Sequence, residues 1–357
     1  MVPFFWKRIS NQNEFSITGI YAFSLWKMIS LNNIKKTFRV VKRKKGVAAS
    51  LRSLFRREYN EIHALEGISF TVGKEEIVGF IGPNGAGKST AIKIMSGILV
   101  PDSGECTVLG MCPWKARARY VSRIGVVFGQ RTQLWWDVPV EDSFELLKDI
   151  YRVDERRFAL NIGELSELLE LKELLPVPLR QLSLGQRMRC ELAASLLYDP
   201  EVLFLDEPTI GLDAPSKLAV RRIIADLNKE RKITVILTSH DMDDIEALTN
   251  RILLIGKGKL LYDGALGSLR SRYDRLRRLE LHYEGVSTPL LEPAGTKLLS
   301  QKDNHAVYEV DTAVIGVSAA LRVLGESLDI RDMSAGSRPI EELIASLYRE
   351  WGSGNGE

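Results

Sequence analysis

The stretch EEIVGFIGPNGAGKST, residues 75–90, predicts a strand, a glycine-rich loop and the first turn of a helix. Apolar residues fill the strand as far as Gly82, and Ile92, Met95 and Ile98 recur after the loop at helical spacing. A strand that runs through glycines into a helix is typical of an α/β fold.

The loop itself matches the pattern G-x-x-x-x-G-K-[ST]. Its candidate binding residues are Gly82, Pro83, Asn84, Gly85, Ala86, Gly87, Lys88, Ser89 and Thr90. Glycines let backbone N–H groups curl around a polyphosphate, and the helix N-terminus adds unpaired donors. We therefore expect Lys88 to reach the outer phosphates and the Ser89 hydroxyl to join a Mg²⁺ shell.

The whole chain has the composition of a folded α/β protein. Its middle alternates short apolar runs with helical patterns, which predicts a parallel sheet with crossover helices, and 357 residues favour two domains or one large domain with additions. The net charge of +3 is too small to require nucleic acid as a partner. No apolar run approaches the roughly 18–20 residues that a membrane-spanning helix needs, so we expect any membrane role to act through a partner protein.

A second apolar strand, EVLFLDEPT at 201–209, ends in two carboxylates, Asp206 and Glu207. Polar residues at the carboxyl end of a buried strand face the ligand crevice of an α/β sheet, and at the strand end the chain can turn both side chains toward the site. We expect Asp206 to hold Mg²⁺ through water and Glu207 to polarise an attacking water. The alternative is a pair of surface carboxylates that cap a turn, and four apolar residues directly before them disfavour it.

A third strand, ITVILTSHDM at 233–242, delivers His240 to the same edge of the sheet. A lone histidine is more often a structural residue than a functional one. Its position after Thr238 and Ser239, at the end of a core strand, favours a functional role here.

The stretch LSLGQ, residues 182–186, presents Ser183 and Gly185 at a helix start about twenty residues before the acidic strand end. It stands in one series with the phosphate loop, Gln130 after IGVVFGQ, Asp213 in IGLD, and His240. In this order the motifs resemble those of the nucleotide-binding domain of ABC transporters, over about residues 28–265. The resemblance implies a P-loop NTPase fold, an ATPase with ATP and Mg²⁺ as cofactors, and a helical subdomain at about 138–200.

The resemblance also implies that the site is shared between two domains. In this family two domains pack head to tail, and the signature of each closes over the ATP that the other holds. Ser183 and the Gly185 N–H would bond the γ-phosphate across that interface, Gln186 would lie toward the ribose, and Asp213 would cross the interface. The usual signature is LSGGQ, and Leu184 here replaces its first glycine. A second copy of the chain or a sister subunit is therefore an expected partner.

Further residue roles are implied by the same resemblance. Gln130 would sense Mg²⁺ and the attacking water, and His240 would bind the γ-phosphate as a switch. Adenine would stack on Phe38, with Tyr59 as a substitute because an insertion follows Phe38 immediately.

That insertion, at about 39–62, carries eight Lys or Arg residues before its first acid, Glu58. Leu51, Leu54 and Phe55 fall at helical spacing within it, which predicts a small amphipathic helix. Either the insertion is a solvated basic loop, or it contacts anionic lipid or a partner's cytoplasmic face, where each basic residue is worth about 1 kcal/mol.

Three other segments carry expectations of their own. Trp135 and Trp136 are either core residues or, as the resemblance implies, the lining of a groove that receives a short helix of the membrane subunit. The frequency of aromatic anchors at interfaces favours the groove. Residues 1–27 are either an N-terminal tail or the product of a misplaced start. Residues 275–350 predict a small C-terminal α+β domain with no assignable motif.

Together these features predict the ATPase subunit of an ABC transporter, which dimerises on ATP and drives a separately encoded permease from the cytoplasmic face of the membrane. The insertion, the phrase GVVFGQRTQLWWD and the LSLGQ signature resemble the ABC-2 type exporters, so we expect export. The alternative is a soluble ABC ATPase that acts on ribosomes or DNA. Such proteins generally carry two cassettes or long coiled coils, which this sequence does not show, and we expect no nucleic-acid partner.

Overall fold

Three sheets organise the part of the chain that the computed structural model describes, residues 27–41, 59–129, 131–284 and 290–353. The strands are β1 (Lys27–Val41), β2 (Tyr59–Gly73), β3 (Ile77–Ile81), β4 (Ser103–Val108), β5 (Ile124–Phe128), β6 (Val202–Asp206), β7 (Thr234–Thr238), β8 (Arg251–Gly256), β9 (Lys259–Ala265), β10 (Leu276–Glu284), β11 (Thr296–Lys302), β12 (His305–Asp311) and β13 (Asp329–Ser337). The helices are α1 (Lys88–Met95), α2 (Arg117–Val121), α3 (Val140–Tyr151), α4 (Glu155–Leu168), α5 (Leu184–Leu196), α6 (Ala214–Arg231), α7 (Met242–Leu248), α8 (Leu266–Tyr273), α9 (Val317–Gly325) and α10 (Ile340–Ser353).

The central sheet has the strand order β5-β6-β7-β3-β8-β9, and its first five strands are parallel. Their side chains are almost entirely buried, as expected for strands that helices cover on both faces. Strands β6, β7 and β3 are neighbours, so their carboxyl ends meet at one edge. This arrangement confirms the predicted α/β fold and brings the phosphate loop beside the two acidic residues and the histidine.

An antiparallel sheet of order β2-β1-β4 lies beside the central one, and the basic insertion grows out of its β1–β2 hairpin. Both described ends of the insertion that we placed at about 39–62 are strand. Residues 39–41 pair with 59–61 as a continuous ladder, since β-branched side chains favour the strand and Arg39 forms an ion pair with Glu61 at 3.0 Å.

The helical subdomain is built from α3, α4 and α5, within the predicted range of 138–200. Its entry segment carries Leu134, which is buried, followed by Trp135 and Trp136, whose exposed fractions are 41% and 47%. The Arg187 guanidinium lies 4.4 Å from the centre of the Trp136 ring. The two tryptophans are therefore surface residues, and the core alternative is wrong.

The C-terminal sheet has the order β11-β12-β10-β13 and forms its own small core with α9, around Leu279, Tyr308 and Leu324. The last helix, α10, does not belong to that core. Its apolar stripe packs into the large core of the central sheet and helical subdomain, so the predicted C-terminal unit of 275–350 ends before this helix. The buried stripe consists of Ile340, Leu343, Ile344 and Leu347.

Several predictions fall outside the described residues. These are residues 1–26 of the N-terminal tail, the amphipathic helix around Leu51, and Gln130. Lys27, which we placed in the tail, begins β1. Among the helices of the described ranges, none is both long and apolar enough to cross a membrane.

Candidate functional site

A single cleft of about 740 Å³ brings together most of the predicted site residues. It lies where β1, the phosphate loop and the carboxyl ends of β6 and β7 meet. The predicted residues that line it are Phe38, Pro83, Asn84, Gly85, Ala86, Gly87, Lys88, Ser89, Thr90, Asp206, Glu207 and His240.

The phosphate loop needs its glycines for backbone conformation and for space. Gly85 and Gly87 have φ angles of 81° and 112°, in the left-handed region that side chains disfavour. A Cβ on Gly87 would lie 2.4 Å from the carbonyl oxygen of Ala64 on β2. The loop can therefore pack against the antiparallel sheet while α1 begins at Lys88 and directs its N-terminus into the cleft.

Lys88 is the cation of the loop and is only 7% exposed. Its Nζ donates to the carbonyl oxygens of Gly82 at 2.5 Å and Pro83 at 3.3 Å. Burial lowers the pKa of Lys88, and the charges of Glu207 and Asp206 oppose that shift. An ammonium that is already desolvated and directed into the cleft is suited to bind phosphate oxygens.

Asp206, at the end of β6, shares its carboxylate oxygen Oδ1 with two hydroxyl donors. The Ser89 Oγ lies 3.1 Å away and the Thr238 Oγ1 lies 2.7 Å away. Adjacent carboxylate and hydroxyl oxygens are the ligands that Mg²⁺ prefers. The described residues contain no cluster of three His, Cys, Asp or Glu side chains that could hold a metal. Mg²⁺ commonly keeps several waters and is bound by one or two carboxylates together with substrate phosphates.

Glu207 leaves the strand with a φ of 58°, a left-handed conformation that is uncommon for a residue with a side chain and that clusters at active sites. Thr238 stabilises this turn, because its hydroxyl and carbonyl oxygens both accept from the Glu207 N–H, at 3.0 Å and 3.1 Å. The turn brings the Glu207 side chain into the cleft beside that of Asp206. Its Oε2 accepts a hydrogen bond from Nδ1 of His240 at 2.5 Å, and the two residues form one acid–imidazole pair.

The segment around Gln130 passes very close to Glu207. The N–H of Gly129 donates to the Asp206 carbonyl at 2.8 Å, and a Cβ on Gly129 would lie 2.0 Å from the Glu207 carbonyl oxygen. A side chain at this position would have to displace the Glu207 backbone. Gln130 itself lies outside the described residues, although both neighbouring residues line the cleft.

The outer wall of the cleft is apolar and comes from the β1–β2 hairpin. Phe38 faces Ile62 across the ladder, and both line the cleft with exposed fractions of 36% and 52%. Tyr59, the alternative to Phe38, pairs with Val41 farther along the hairpin and is not among the lining residues. Of the two candidates, Phe38 therefore lines the cleft and Tyr59 does not, and Ile62 is a wall residue that the sequence analysis missed.

A surface carboxylate fixes the backbone directly before Phe38. Asp102 accepts from Nζ of Lys36 at 2.7 Å and from the N–H of Thr37 at 2.6 Å. The hydrogen bond from Lys36, followed by the one from Thr37, lowers the pKa of Asp102. The aromatic ring is therefore carried on an anchored strand although it projects toward solvent.

The signature residues lie outside the cleft lining, and local structure explains their types. Ser183 caps α5 in a reciprocal arrangement: its Oγ accepts from the Gln186 N–H at 3.2 Å, and the Gln186 Oε1 accepts from the Ser183 N–H at 2.8 Å. A Cβ on Gly185 would lie 2.4 Å from Oγ of Ser216. Asp213, which precedes α6, is exposed and makes no side-chain capping bond.

Glu191, on α5, ties the signature helix to the segment that follows Gln130. It is 5% exposed, and its carboxylate accepts from the Thr132 hydroxyl and from the N–H of Gln133 at 3.2 Å. Burial raises the pKa of Glu191, while these hydrogen bonds act in the opposite direction. We did not predict this link, and the one sign of it in the sequence is an acid on the buried face of α5.

Beneath Glu207 and His240 lies a buried polar group that we call the Asp244 cluster: Asp244, Arg221, Thr209 and Ser239. Asp244 has no exposed surface. It accepts from Nε of Arg221 at 2.5 Å, from Oγ of Ser239 at 2.9 Å and from the hydroxyl of Thr209. Thr209 follows Glu207 by two residues and Ser239 directly precedes His240, so one carboxylate fixes both segments. The sequence analysis missed this cluster because it joins residues that are far apart in the chain.

Comparison with known proteins points to one family. A family model described as ABC transporter matches residues 65–210. The ABC transporter ATP-binding protein NatA of Bacillus subtilis is 32% identical over 229 residues, which are 64% of this chain and 92% of NatA. The daunorubicin resistance ATP-binding protein DrrA3 of Streptomyces coeruleorubidus is 30% identical over 298 residues, 82% of this chain and 93% of that protein.

Solved structures agree with this result. The dimeric structure of a post-hydrolysis state of the ATP-binding cassette MJ0796, bound to ADP and Pi, superimposes with a TM-score of 0.56 at 25% identity. The superposition covers 67% of this chain and 99% of that cassette. The described fold and the cleft are therefore those of an ATP-binding cassette.

Proposed function

This chain belongs to the ABC transporter family as an ATP-binding protein that hydrolyses ATP, and on that premise we propose that it drives a separate membrane permease in the direction of export. The family membership rests on the relatives that it matches over most of their length. The export direction is supported by DrrA3, which is named for drug resistance and aligns with 82% of this chain. We place the protein at the cytoplasmic face of the membrane, held there by the permease.

In the hydrolysis that we propose, each residue of the cleft has a separate role. Lys88 and the loop N–H groups bind the phosphates, and Phe38 and Ile62 enclose the base. Glu207 orients the attacking water and takes up its proton, while His240 holds Glu207 in place through Nδ1 and reaches the γ-phosphate with its other edge.

Ser89, Asp206 and Gln130 would hold a Mg²⁺. Its positive charge would stabilise the negative charge that develops on the phosphate oxygens during hydrolysis.

The proposal rests on one observation: the predicted site residues lie on two separate surfaces, the cleft and the start of α5. The groups for hydrolysis line the cleft, whereas Ser183, Gly185 and Gln186 stand at the start of α5, outside the cleft lining. A second copy that packs head to tail would direct its α5 start at the γ-phosphate and complete the site. MJ0796, which is dimeric in its solved structure, offers a precedent.

The surface for the permease would be the helical subdomain. Trp135 and Trp136 are exposed there, and aromatic anchors are frequent at the centres of interfaces. For the basic residues of 42–58, which lie outside the described residues, we propose contact with anionic lipid head groups or with the permease.

The first test uses Glu207→Gln, which should bind ATP but hydrolyse it about 10²–10⁴ times more slowly because general-base help is lost. Size-exclusion chromatography with light scattering should show a dimer with ATP and a monomer without it. The matched variant adds Ser183→Asp, since aspartate caps a helix as well as serine does but its charge repels the γ-phosphate. This double variant should bind ATP and stay monomeric, and an unchanged ATP-dependent dimer would contradict the role in trans.

The second test separates the transporter from its alternative, a soluble ATPase that acts on ribosomes or DNA. Tagged Glu207→Gln protein would be purified with ATP from detergent-solubilised membranes of its own host. A stoichiometric polytopic membrane protein in the eluate supports the proposal. Ribosomes or nucleic acid in its place, with the ATPase in the cytosol, would favour the alternative.

A further inference from the structure

The helix α10 connects the C-terminal sheet to the catalytic core. On one side its Glu342 accepts from the Arg278 guanidinium of β10 at 2.9 Å, and Arg338, just before the helix, lies 3.0 Å from the buried carboxylate of Asp274. On the other side, α10 buries its apolar stripe in the large core. A displacement of the C-terminal sheet would therefore act on the core through this helix.

Tyr348, on α10, contacts the backbone at the base of the phosphate loop. Its ring lies over two glycines, because a Cβ on Gly82 would be 3.4 Å from the Tyr348 hydroxyl and a Cβ on Gly256 would be 3.0 Å from the ring. The hydroxyl donates to the carbonyl of Ile255 at 2.7 Å and lies 3.5 Å from that of Ile81. Burial raises the pKa of Tyr348, so the phenol is a neutral donor at physiological pH.

One carbonyl belongs to the strand that leads into the loop, and the other to a strand whose following turn contacts the loop. Ile81 is the last residue of β3, and Gly82 follows it. Ile255 lies at the end of β8, and the turn after this strand returns to the loop, since the N–H of Gly258 donates to the Ala86 carbonyl at 3.0 Å. The Tyr348 hydroxyl thus contacts both backbone segments that position the phosphate loop.

We propose that Tyr348 is a positioning residue for the phosphate loop, and that α10 makes the affinity for ATP depend on how the C-terminal sheet is seated. The sheet then acts as a regulatory unit: a partner that shifts it alters ATP binding in the cleft. This inference requires ATP binding, which the family membership establishes, and it stands apart from the proposed permease and dimer.

The test compares Tyr348→Phe with Tyr308→Phe in the full chain. Tyr308 is the matched control, because its hydroxyl also donates to a backbone carbonyl, that of Leu291 at 3.0 Å, while its buried ring lies in the C-terminal core. Both variants lose one hydrogen bond and should lower the melting temperature alike. Tyr348→Phe alone should raise the Kd and the KM for ATP about three- to tenfold, the range that one hydrogen bond covers, with kcat unchanged.

A Kd for ATP that is unchanged in Tyr348→Phe, or that rises equally in Tyr308→Phe, would overturn the proposal, since the hydroxyl would then support the fold only. Hydrogen exchange gives an independent reading on the same proteins. The amides of residues 82–90 should exchange faster in Tyr348→Phe than in the control, and equal protection of this loop in both variants would count against the positioning role.

Discussion

Replacement of Asp244 by alanine should damage both stability and catalysis, because a single buried carboxylate supports the turns that carry Glu207 and His240. The change leaves the Arg221 guanidinium, which is 15% exposed, without its main partner, and it removes the acceptor of two hydroxyl groups. Breaking a buried ion pair by removing one partner costs about 3–5 kcal/mol. Asp241 lies 3.6 Å from Arg221 and offsets part of the loss, so we expect the lower end, about 3 kcal/mol.

The assay is thermal unfolding together with steady-state ATPase measurements below the transition. With about 2–4 °C for each kcal/mol in a domain of this size, the melting temperature should fall by about 6–12 °C. At 25 °C, where the protein is still folded, kcat should fall on the order of 10–100-fold, because a displacement of about 1 Å at a reacting group can cost that much.

The matched control is Asp243→Ala, which alters an exposed acid in the first turn of the same helix. It loses only an interaction with the helix dipole, about 0.3–1 kcal/mol, and should keep its kcat. A melting temperature of Asp244→Ala equal to that of this control would refute the stability argument. A normal kcat in a destabilised Asp244→Ala would show that the cluster supports the fold without placing the catalytic pair.

Three further predictions concern single positions, two in the cleft and one on α5. Lys88→Ala should raise the Kd for ATP about 10–100-fold in a nucleotide titration, since hydrogen bonds from a charged donor to phosphate are lost; an unchanged Kd would exclude Lys88 from the phosphate site. Gly129→Ala should lower kcat about 100-fold in a steady-state assay, because its Cβ would lie 2.0 Å from the Glu207 carbonyl and must push that residue away; wild-type kcat would show that the backbone relaxes harmlessly. Burial raises the pKa of Glu191 above 4.5, so the folded chain binds this proton more tightly than the unfolded chain does, and the free energy of unfolding should fall as pH rises from 4.5 through the raised pKa. Denaturant unfolding across this pH range should show a weaker pH dependence of that free energy for Glu191→Gln than for the wild type. Equal pH dependence in the two proteins would contradict the assignment.

The parts of the site that were predictable are those that short stretches of chain encode. The glycines of 82–87, the lysine after them and the carboxylates behind an apolar run each carry their chemistry within about ten residues, and parallel strands end at a common edge. From those two facts the meeting of the loop with Asp206, Glu207 and His240 follows. The resemblance to a family then added the signature, whose role no local pattern revealed.

Other features of the site depend on contacts between residues that are far apart in the sequence. The local periodicity of apolar residues does not predict such contacts. The left-handed turn at Glu207 is stabilised by Thr238, and the glycine requirement at 129 arises from the Glu207 backbone. The β1–β2 hairpin extends into the insertion, because each strand satisfies the backbone hydrogen-bonding groups of the other.

The last helix shows the difference most clearly. Its buried apolar residues, Ile340, Leu343, Ile344 and Leu347, stand at helical spacing, and this spacing is a local property of the sequence. An apolar stripe, however, only requires burial and does not specify against what, so the sequence alone placed α10 with the C-terminal sheet beside it. The tertiary structure places the stripe in the large core and Tyr348 under the phosphate loop, since that is where two glycines leave room for a ring and a carbonyl accepts its hydroxyl.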